Sequence, residues 1–165
     1  MMEKPPEPVS EQVRKVKIEG ENVDVVVGAY ITRTNEAGRL EVLLVQGPSG
    51  VWYFPGGKIR EGEKFGDGLA RELEEELGVK YDGDFHEFHA GSYEIKGKKL
   101  AIINVTPTDS YKWEPKKQEG DAIKDFVWTD DPLQYNLTDQ ARALLEAKFT
   151  ETKELPKSEK ISNPR

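Results

Sequence analysis

The sequence predicts an α/β fold in which a mixed β-sheet has a helix available to each of its faces. Runs rich in apolar and β-branched residues recur along the chain, and Gly, Pro or Asn turn signals separate them, as is typical of strands. Two other segments carry helical periodicity, one near the middle and one near the end of the chain. At 165 residues the chain has the length of one domain, which can bury about 70% of its unfolded surface.

Most of the predicted strands lie before residue 106. Residues 13–19 alternate in polarity and are predicted to form an edge strand. A buried strand is predicted over residues 24–34, and a turn at 35–39 connects it to a hairpin partner at 40–46. The remaining strands are predicted at 51–54, 85–95, 99–105 and 123–128.

The two helices are predicted at residues 65–77 and 138–149. In the first, leucines recur every four residues and form one apolar stripe, with Gly78 placed to end the helix. In the second, Thr138 is suited to the N-cap position, and apolar residues follow at amphipathic spacing. The predicted domain therefore covers residues 13–149. A flexible polar segment at 1–12 and a polar tail at 150–165 flank it.

Composition excludes several classes of protein. The chain has no cysteine, which excludes disulfides and cysteine nucleophiles and is typical of the cytoplasm. No apolar run approaches the roughly 20 residues of a membrane span, and the N-terminus lacks a signal-peptide pattern. The net charge of −7 argues against a binder of nucleic-acid polymers. The sequence leaves open whether the protein is a monomer or a homodimer.

One segment, residues 57–79, carries most of the chemical information. It has Gly57, then five residues, Glu63, seven residues, and the run Arg-Glu-Leu-Glu-Glu-Glu-Leu-Gly-Val at 71–79. Three glutamates alone are most often a solvated helix face. Here, however, seven fixed residues and two aliphatic positions occur at fixed spacing. By average residue usage, a chance match is rarer than roughly one in a billion per start position.

Helical geometry places Glu72, Glu75 and Glu76 on one flank of the first helix, because residues three and four apart share a face. Like charges at these spacings destabilise a free helix. A hard divalent cation would offset that repulsion, and Mg²⁺ and Mn²⁺ prefer oxygen ligands. Mg²⁺ is commonly held by a few carboxylates together with substrate phosphates, so the pattern indicates phosphate chemistry.

The segment resembles the Nudix box, the signature of the Nudix hydrolases, at every defined position. The resemblance implies an α/β/α sandwich with a mixed sheet. It also implies hydrolysis of a nucleoside diphosphate linked to another group, with Mg²⁺ as cofactor and Mn²⁺ as a possible substitute. The expected partner is therefore a small nucleotide. Nucleoside triphosphates and dinucleoside polyphosphates are the favoured substrates.

The resemblance also implies roles for the residues of the box. Glu72, Glu75 and Glu76 correspond to metal ligands, together with the backbone carbonyl of Gly57. Glu75 corresponds to the general base proposed in some members, and Glu76 is counted with it as catalytic. Two further residues correspond to a structural pair that orients the loop against the helix, namely Glu63 and Arg71.

Outside the box, the assignments have competing interpretations. Many members take a base or an extra ligand from a later loop, for which Glu119 is the first choice and Asp121 the second; an ordinary solvated acid is the alternative. Lys58 and Arg33 are expected to contact phosphate, although each is equally suited to the surface.

Tyr53 is a candidate to stack on a base, although core packing is the more common role of such a ring. Two alternative functions remain to be weighed against hydrolysis. A non-catalytic nucleotide sensor usually loses box carboxylates, and none is missing here. The common isomerase on the same fold needs a cysteine, which this chain lacks.

Overall fold

In a computed structural model, residues 12–149 are described apart from 96, 109 and 121. The predicted tail at 150–165, and the predicted N-terminal segment except residue 12, lie outside the described residues. The described residues form nine strands, β1 to β9, and two α-helices, α1 and α2. The strands are Lys15–Ile18, Glu21–Ala29, Thr32–Thr34, Leu40–Gln46, Trp52–Tyr53, Gly56–Lys58, Phe85–Ile95, Lys98–Pro107 and Asp125–Thr129. The helices are Phe65–Leu77 and Asp139–Leu144.

The strands form two sheets. The first has five strands in the order β1-β2-β8-β7, and β6 also pairs with β2. It is mixed, because β2 and β8 run parallel while its other pairs are antiparallel. The second sheet is antiparallel, with β4 between β3 and β5 and with β9 also on β4. The mixed first sheet agrees with the predicted fold class. The second sheet is additional to the single sheet that was predicted.

The prediction of one continuous strand over residues 24–34 was wrong, because this segment is divided between β2 and β3. The chain leaves the first sheet at Tyr30, whose N–H still donates to the carbonyl of Val105 at 2.9 Å. At Ile31 it joins the second sheet, where the Ile31 carbonyl accepts from Leu43. Side chains on both sides of this switch are buried, so the sequence carries no polar turn to mark it.

Other boundaries also differ from the prediction, mostly by one or two residues at strand ends. Residues 56–58, which follow the strand predicted at 51–54, form a further short strand, β6, that was not predicted. The strand predicted at 123–128 begins at Asp125. The last helix is α-helical only to Leu144 and then widens into a π-helical turn, Leu145–Phe149. Its predicted N-cap is present, because Thr138 Oγ1 accepts from the N–H of Ala141 at 3.3 Å.

Each helix anchors a separate core. The leucine stripe of α1 packs with the inward face of β2, whose Val25 and Val27 are almost completely buried. The second core places α2 against β4. Among the described residues, no helix is long and apolar enough to span a membrane. The fold thus leaves the glutamate flank of α1 beside β6, where the candidate site lies.

Candidate active site

The helix α1 spans the predicted residues 65–77 and has defined ends. Asp67 in its first turn suits the positive end of the helix dipole. At the other end Gly78 takes a left-handed conformation with φ 65°, and its N–H donates to the Glu74 carbonyl at 3.0 Å. Gly suits this position because it has no Cβ penalty there. These ends place all three box glutamates, Glu72, Glu75 and Glu76, within the last two turns of the helix.

The strand β6 carries two glycines onto that flank. Gly56 pairs with Gly28 of β2, and Gly57 pairs with Val27. The N–H of Gly56 donates to Oε1 of Glu76 at 3.0 Å. A Cβ on Gly57 would lie 2.6 Å from the carboxyl carbon of Glu72. The absence of a side chain therefore lets the backbone of β6 lie directly against two carboxylates of α1.

The pair of Glu63 and Arg71 joins the preceding loop to the helix. Arg71 Nε and Nη2 donate to the two carboxylate oxygens of Glu63 at 2.9 and 3.0 Å. Nη2 also donates to the Lys58 carbonyl at 3.1 Å, and Nη1 donates to Glu72 at 2.8 Å. Burial would raise the pKa of Glu63, but the bonds from Arg71 and from the Arg60 N–H lower it below its ordinary value. The Arg71 guanidinium thus fixes both the loop that carries Glu63 and the carboxylate of Glu72.

The three box glutamates have different surroundings. Glu76 is 4% exposed, and its pKa is raised to about 8 by burial first and by the charge of Glu72 second. Burial likewise raises the pKa of Glu72, although Arg71 opposes that effect. The side chain of Glu75 is 52% exposed and lies 3.8 Å from Arg71 Nη1. In the absence of a cation, burial on this flank therefore disfavours the ionised forms of Glu72 and Glu76.

Each of these carboxylates has its own protein partner or faces solvent. Within residues 12–149, as far as they are described, no three His, Cys, Asp or Glu side chains converge as a ready metal cluster. Glu72 is engaged by Arg71 and Glu76 by Gly56. The donor set is nonetheless carboxylate and carbonyl oxygen, which hard divalent cations prefer. Direct ligation by Glu72 or Glu76 would require the carboxylate to share or exchange that partner.

A cleft of about 200 Å³ lies on the face of β2 that is opposite the α1 core. Tyr53 is one of its walls, and burial followed by the charges of Glu76 and Glu72 raises the pKa of its phenol to about 12. The ring also packs against the α1 core. Tyr53 therefore both lines the cleft and contributes to core packing. The other lining residues are Val26, Gly28, Phe54, Leu100, Ile102, Asn104, Thr138 and Gln140.

Sequence reasoning did not identify Asn104 and Gln140 as cleft residues. Both are almost completely buried. Asn104 could have been found, because it interrupts the apolar run Ala-Ile-Ile-Asn-Val of β8. A polar residue inside a buried strand is unusual and often has a specific structural or functional role. Gln140 lies in the first turn of α2, and nothing in its local sequence marks it.

The predicted phosphate contacts lie in two different places. Lys58 follows the glycines of β6, and its Nζ lies 3.1 Å from Asp24 Oδ2. Arg33 is on β3 in the second sheet, where Nε donates to Glu41 at 2.9 Å and the guanidinium lies 4.1 Å from the Trp128 ring centroid. Both side chains are thus engaged by protein partners other than the box glutamates.

The later loop that contains Glu119 runs past the C-terminal end of α1. The Lys116 N–H donates to the Leu77 carbonyl at 2.8 Å. A Cβ on Gly78 would lie 2.4 Å from the Gln118 amide nitrogen, so this loop packs closely on the helix end. Glu119 itself is exposed. The second candidate, Asp121, lies outside the described residues.

A model of the NUDIX domain matches residues 24–158, most of the chain. The chain belongs to the NUDIX domain family. Nudix hydrolase 7 of Arabidopsis thaliana is 33% identical over 149 residues, which is 87% of this chain and 43% of that protein. The oxidized purine nucleoside triphosphate hydrolase of Mus musculus is 33% identical over 99 residues, 54% of this chain and 63% of that protein.

The Nudix fold is also found by structural comparison. The crystal structure of the MutT NUDIX hydrolase from Burkholderia pseudomallei superposes with a TM-score of 0.56 at 25% identity, covering 74% of this chain and 95% of that chain. This Nudix chain spans less than half the length of the plant relative. Family membership and fold are therefore established over the domain that carries the site.

Proposed function

We propose that this Nudix protein is a Mg²⁺-dependent pyrophosphohydrolase that cleaves a phosphoanhydride in a nucleoside diphosphate linked to another group. The main support is the contact of the Gly56–Gly57 backbone with the carboxylates of Glu72 and Glu76, beside the Tyr53 cleft. A base can enter the cleft while its phosphates reach the glutamate flank. The preferred substrate is a nucleoside triphosphate or a dinucleoside polyphosphate.

The residues present fit a divalent ion. Glu72, Glu75, Glu76 and the Gly57 carbonyl would hold it, and their oxygens suit Mg²⁺ with Mn²⁺ as a substitute. The raised pKa values of Glu72 and Glu76, which follow mainly from burial, mark a place where added positive charge is favourable. When bound, the ion would neutralise the anhydride oxygens that repel an attacking water.

The side chains would divide the remaining work. Arg71 positions Glu72 and the loop through its bonds to Glu63 and the Lys58 carbonyl. Glu75 is half-exposed and would accept the proton of the water as its oxygen attacks phosphorus, with Glu119 as the alternative base. A positioned base contributes roughly 10²–10⁴ in rate. The anhydride oxygen leaves with the second phosphate product.

The substrate preference draws on the cleft and on the relatives. Tyr53 offers a ring for stacking, worth about 1–3 kcal/mol per base. Asn104 and Gln140 offer amide groups that can hydrogen-bond to a base edge. The mouse relative is named for oxidized purine nucleoside triphosphates, which supports a triphosphate substrate here. We infer a cytoplasmic enzyme, because a chain without cysteine suits a reducing compartment, and we expect it to be a monomer or a homodimer.

A non-catalytic nucleotide sensor is the alternative function, and turnover separates the two. A panel of nucleoside triphosphates, dinucleoside polyphosphates and nucleoside diphosphate sugars would be incubated with Mg²⁺ or Mn²⁺ in ¹⁸O-labelled water. Labelled product identifies the phosphorus attacked. We expect Glu75→Gln and Glu76→Gln each to remove most of the turnover. The matched control is Glu74→Gln on the same helix, because Glu74 is exposed and contacts Lys80.

Full activity in both glutamine variants would reject the site assignment. Binding of nucleotides without turnover of any of them would favour the sensor.

A further inference from the structure

Three lysines meet at one buried carboxylate on the cleft side of the first sheet. Asp24 has only 5% of its side chain exposed. Its Oδ1 lies 2.6 Å from Lys15 Nζ, and its Oδ2 lies 2.8 Å from Lys98 Nζ and 3.1 Å from Lys58 Nζ. The lysines come from three strands, β1, β6 and β8, which surround the β2 residue. We call these four residues the Asp24 cluster.

The charge of the Asp24 cluster is not balanced. One carboxylate faces three ammonium groups, so the formal charge is 3 − 1 = +2. The hydrogen bonds from Lys15 and Lys98 hold the pKa of Asp24 far below its usual range, so the carboxylate stays ionised. Because the whole chain carries −7, this is a local reversal of charge. A single lysine would neutralise Asp24, and the two additional ones repel each other unless a second anion is bound.

The lysines retain hydrogen-bonding capacity toward solvent. About half of each side chain is exposed: 54% for Lys15, 48% for Lys58 and 56% for Lys98. An ammonium has three N–H donors, and one suffices for the contact with Asp24. The Asp24 cluster therefore presents several converging donors and excess positive charge, which suits a phosphate.

The Asp24 cluster lies at one end of the cleft. Asp24, Val26 and Gly28 alternate along β2 and share one face of the sheet. The pairing sets Leu100 beside Asp24 and Lys58 beside Val26. Val26, Gly28 and Leu100 line the cleft. Four residues of strand separate Asp24 from Gly28, which is about 13 Å, so one elongated ligand can reach both ends.

We propose that Lys15, Lys58 and Lys98 form an anion subsite that binds a phosphate group of the substrate at the Leu100 end of the cleft. The substrate class is then a nucleotide with a phosphate in addition to those engaged at the glutamate flank, not one whose second group is neutral. This assignment rests on the proposed function for its meaning, because the cleft must hold a nucleotide. Asp24 acts as the positioning residue that gathers the three ammonium groups.

The probe is sodium tripolyphosphate, titrated calorimetrically into the whole protein in buffer with EDTA. Without divalent ions the box carboxylates repel a polyphosphate, so the heat reports the Asp24 cluster. Lys98→Gln and Lys15→Gln each leave Asp24 with two cations, which protects the fold. The matched controls are Lys99→Gln and Lys17→Gln, because they remove the same charge from the same strands. Lys99 pairs with Glu19 at 3.4 Å, not with Asp24.

We expect wild type to bind tripolyphosphate. Each cluster variant should raise the dissociation constant by about fivefold or more, which is the scale of one charged hydrogen bond. Each control should stay within about twofold. Equal weakening in controls and cluster variants, or no binding by wild type, would overturn the subsite. Glu75→Gln should bind tripolyphosphate at least as tightly as wild type, because it removes a repelling negative charge and leaves the Asp24 cluster intact. If the hydrolase proposal fails, no nucleotide is turned over while tripolyphosphate binding is unaffected. If the subsite proposal fails, the cluster variants and the control variants bind tripolyphosphate equally.

Discussion

Gly57 lies so close to the Glu72 carboxylate that a Cβ at residue 57 would be 2.6 Å from the carboxyl carbon and 2.6 Å from Oε2. Any side chain at residue 57 must displace the carboxylate or the strand. We therefore expect Gly57→Ala to lower kcat at least about tenfold, because an ångström-scale misplacement of a reacting group has an effect of that size or larger. Turnover of the best substrate from the nucleotide panel measures it.

Gly56→Ala provides the contrast for that substitution. Gly56 has φ 146°, and its Cβ would lie 2.0 Å from the Val27 carbonyl oxygen. This variant should lose folding stability, seen as a lower melting temperature, whereas Gly57→Ala should melt near wild type. If Gly57→Ala retained full activity, the contact with Glu72 would have no catalytic importance.

The stability of the metal-free protein should fall as the pH rises toward 8. The pKa of Glu76 is raised from 4.5 to about 8, first by burial and then by Glu72. Folding therefore favours the protonated form. This contribution to stability is complete below pH 4.5 and is lost as the pH rises through about 8. Asp24 and Glu63 have lowered pKa values, so their opposite effect lies at more acidic pH.

Thermal unfolding in EDTA at several pH values measures this dependence. Glu76→Gln should flatten the curve between about pH 5 and pH 8, while the control Glu74→Gln should keep the wild-type slope. Added Mg²⁺ should raise the melting temperature most at the alkaline end. A wild-type curve that rises over this range would contradict the assignment to Glu76.

Removing Arg71 should destabilise the fold as well as the site. Arg71→Ala leaves the buried Glu63 carboxylate without its bidentate partner, which should cost about 2–4 kcal/mol of unfolding free energy. Arg71→Lys should recover only part of it, because an ammonium cannot reproduce the fork. Urea denaturation measures both. Arg39→Ala is the control, since the Arg39–Asp130 pair is exposed and is worth about 0–1 kcal/mol.

Tyr53 should affect both substrate binding and stability. Tyr53→Ala removes a half-buried ring from the core and from the cleft wall. We expect KM to rise by about fivefold or more from lost stacking and the melting temperature to fall. Tyr53→Phe should keep KM within about twofold. Tyr81→Ala is the matched control, because that ring packs on Trp113 away from the cleft, and it should lower stability without changing KM.

The helix α1 was predictable to its end residues, whereas the strands were predictable only in part. Leucines at a spacing of four and Gly78 define the helix locally, and local signals are all that a helix needs. The break after Ala29 had no such signal. Tyr30 and Ile31 are buried on both sides of a change of sheet, and only long-range pairing with Val105 and Leu43 reveals it.

The candidate site divides in the same way. The common flank of Glu72, Glu75 and Glu76 follows from helical geometry and sequence spacing. The contact of Glu76 with the Gly56 N–H does not, because it depends on β6 pairing with β2. The Asp24 cluster was not predicted either, since it joins four strands whose residues lie up to 83 positions apart in the sequence, from 15 to 98. Contacts of that kind leave no periodic trace.

The parallel pairing of β2 with β8 has a consequence for biosynthesis. A nascent chain that has emerged only as far as residue 97 already contains every glutamate of the box, yet β2 still lacks its partner at Lys98–Pro107. Long-range pairing of this type is slow, because a large loop must close before the strands can hydrogen-bond. Ribosome-bound intermediates truncated before and after β8 should therefore differ sharply in protease resistance, with the sheet maturing only after the later strand has left the exit tunnel.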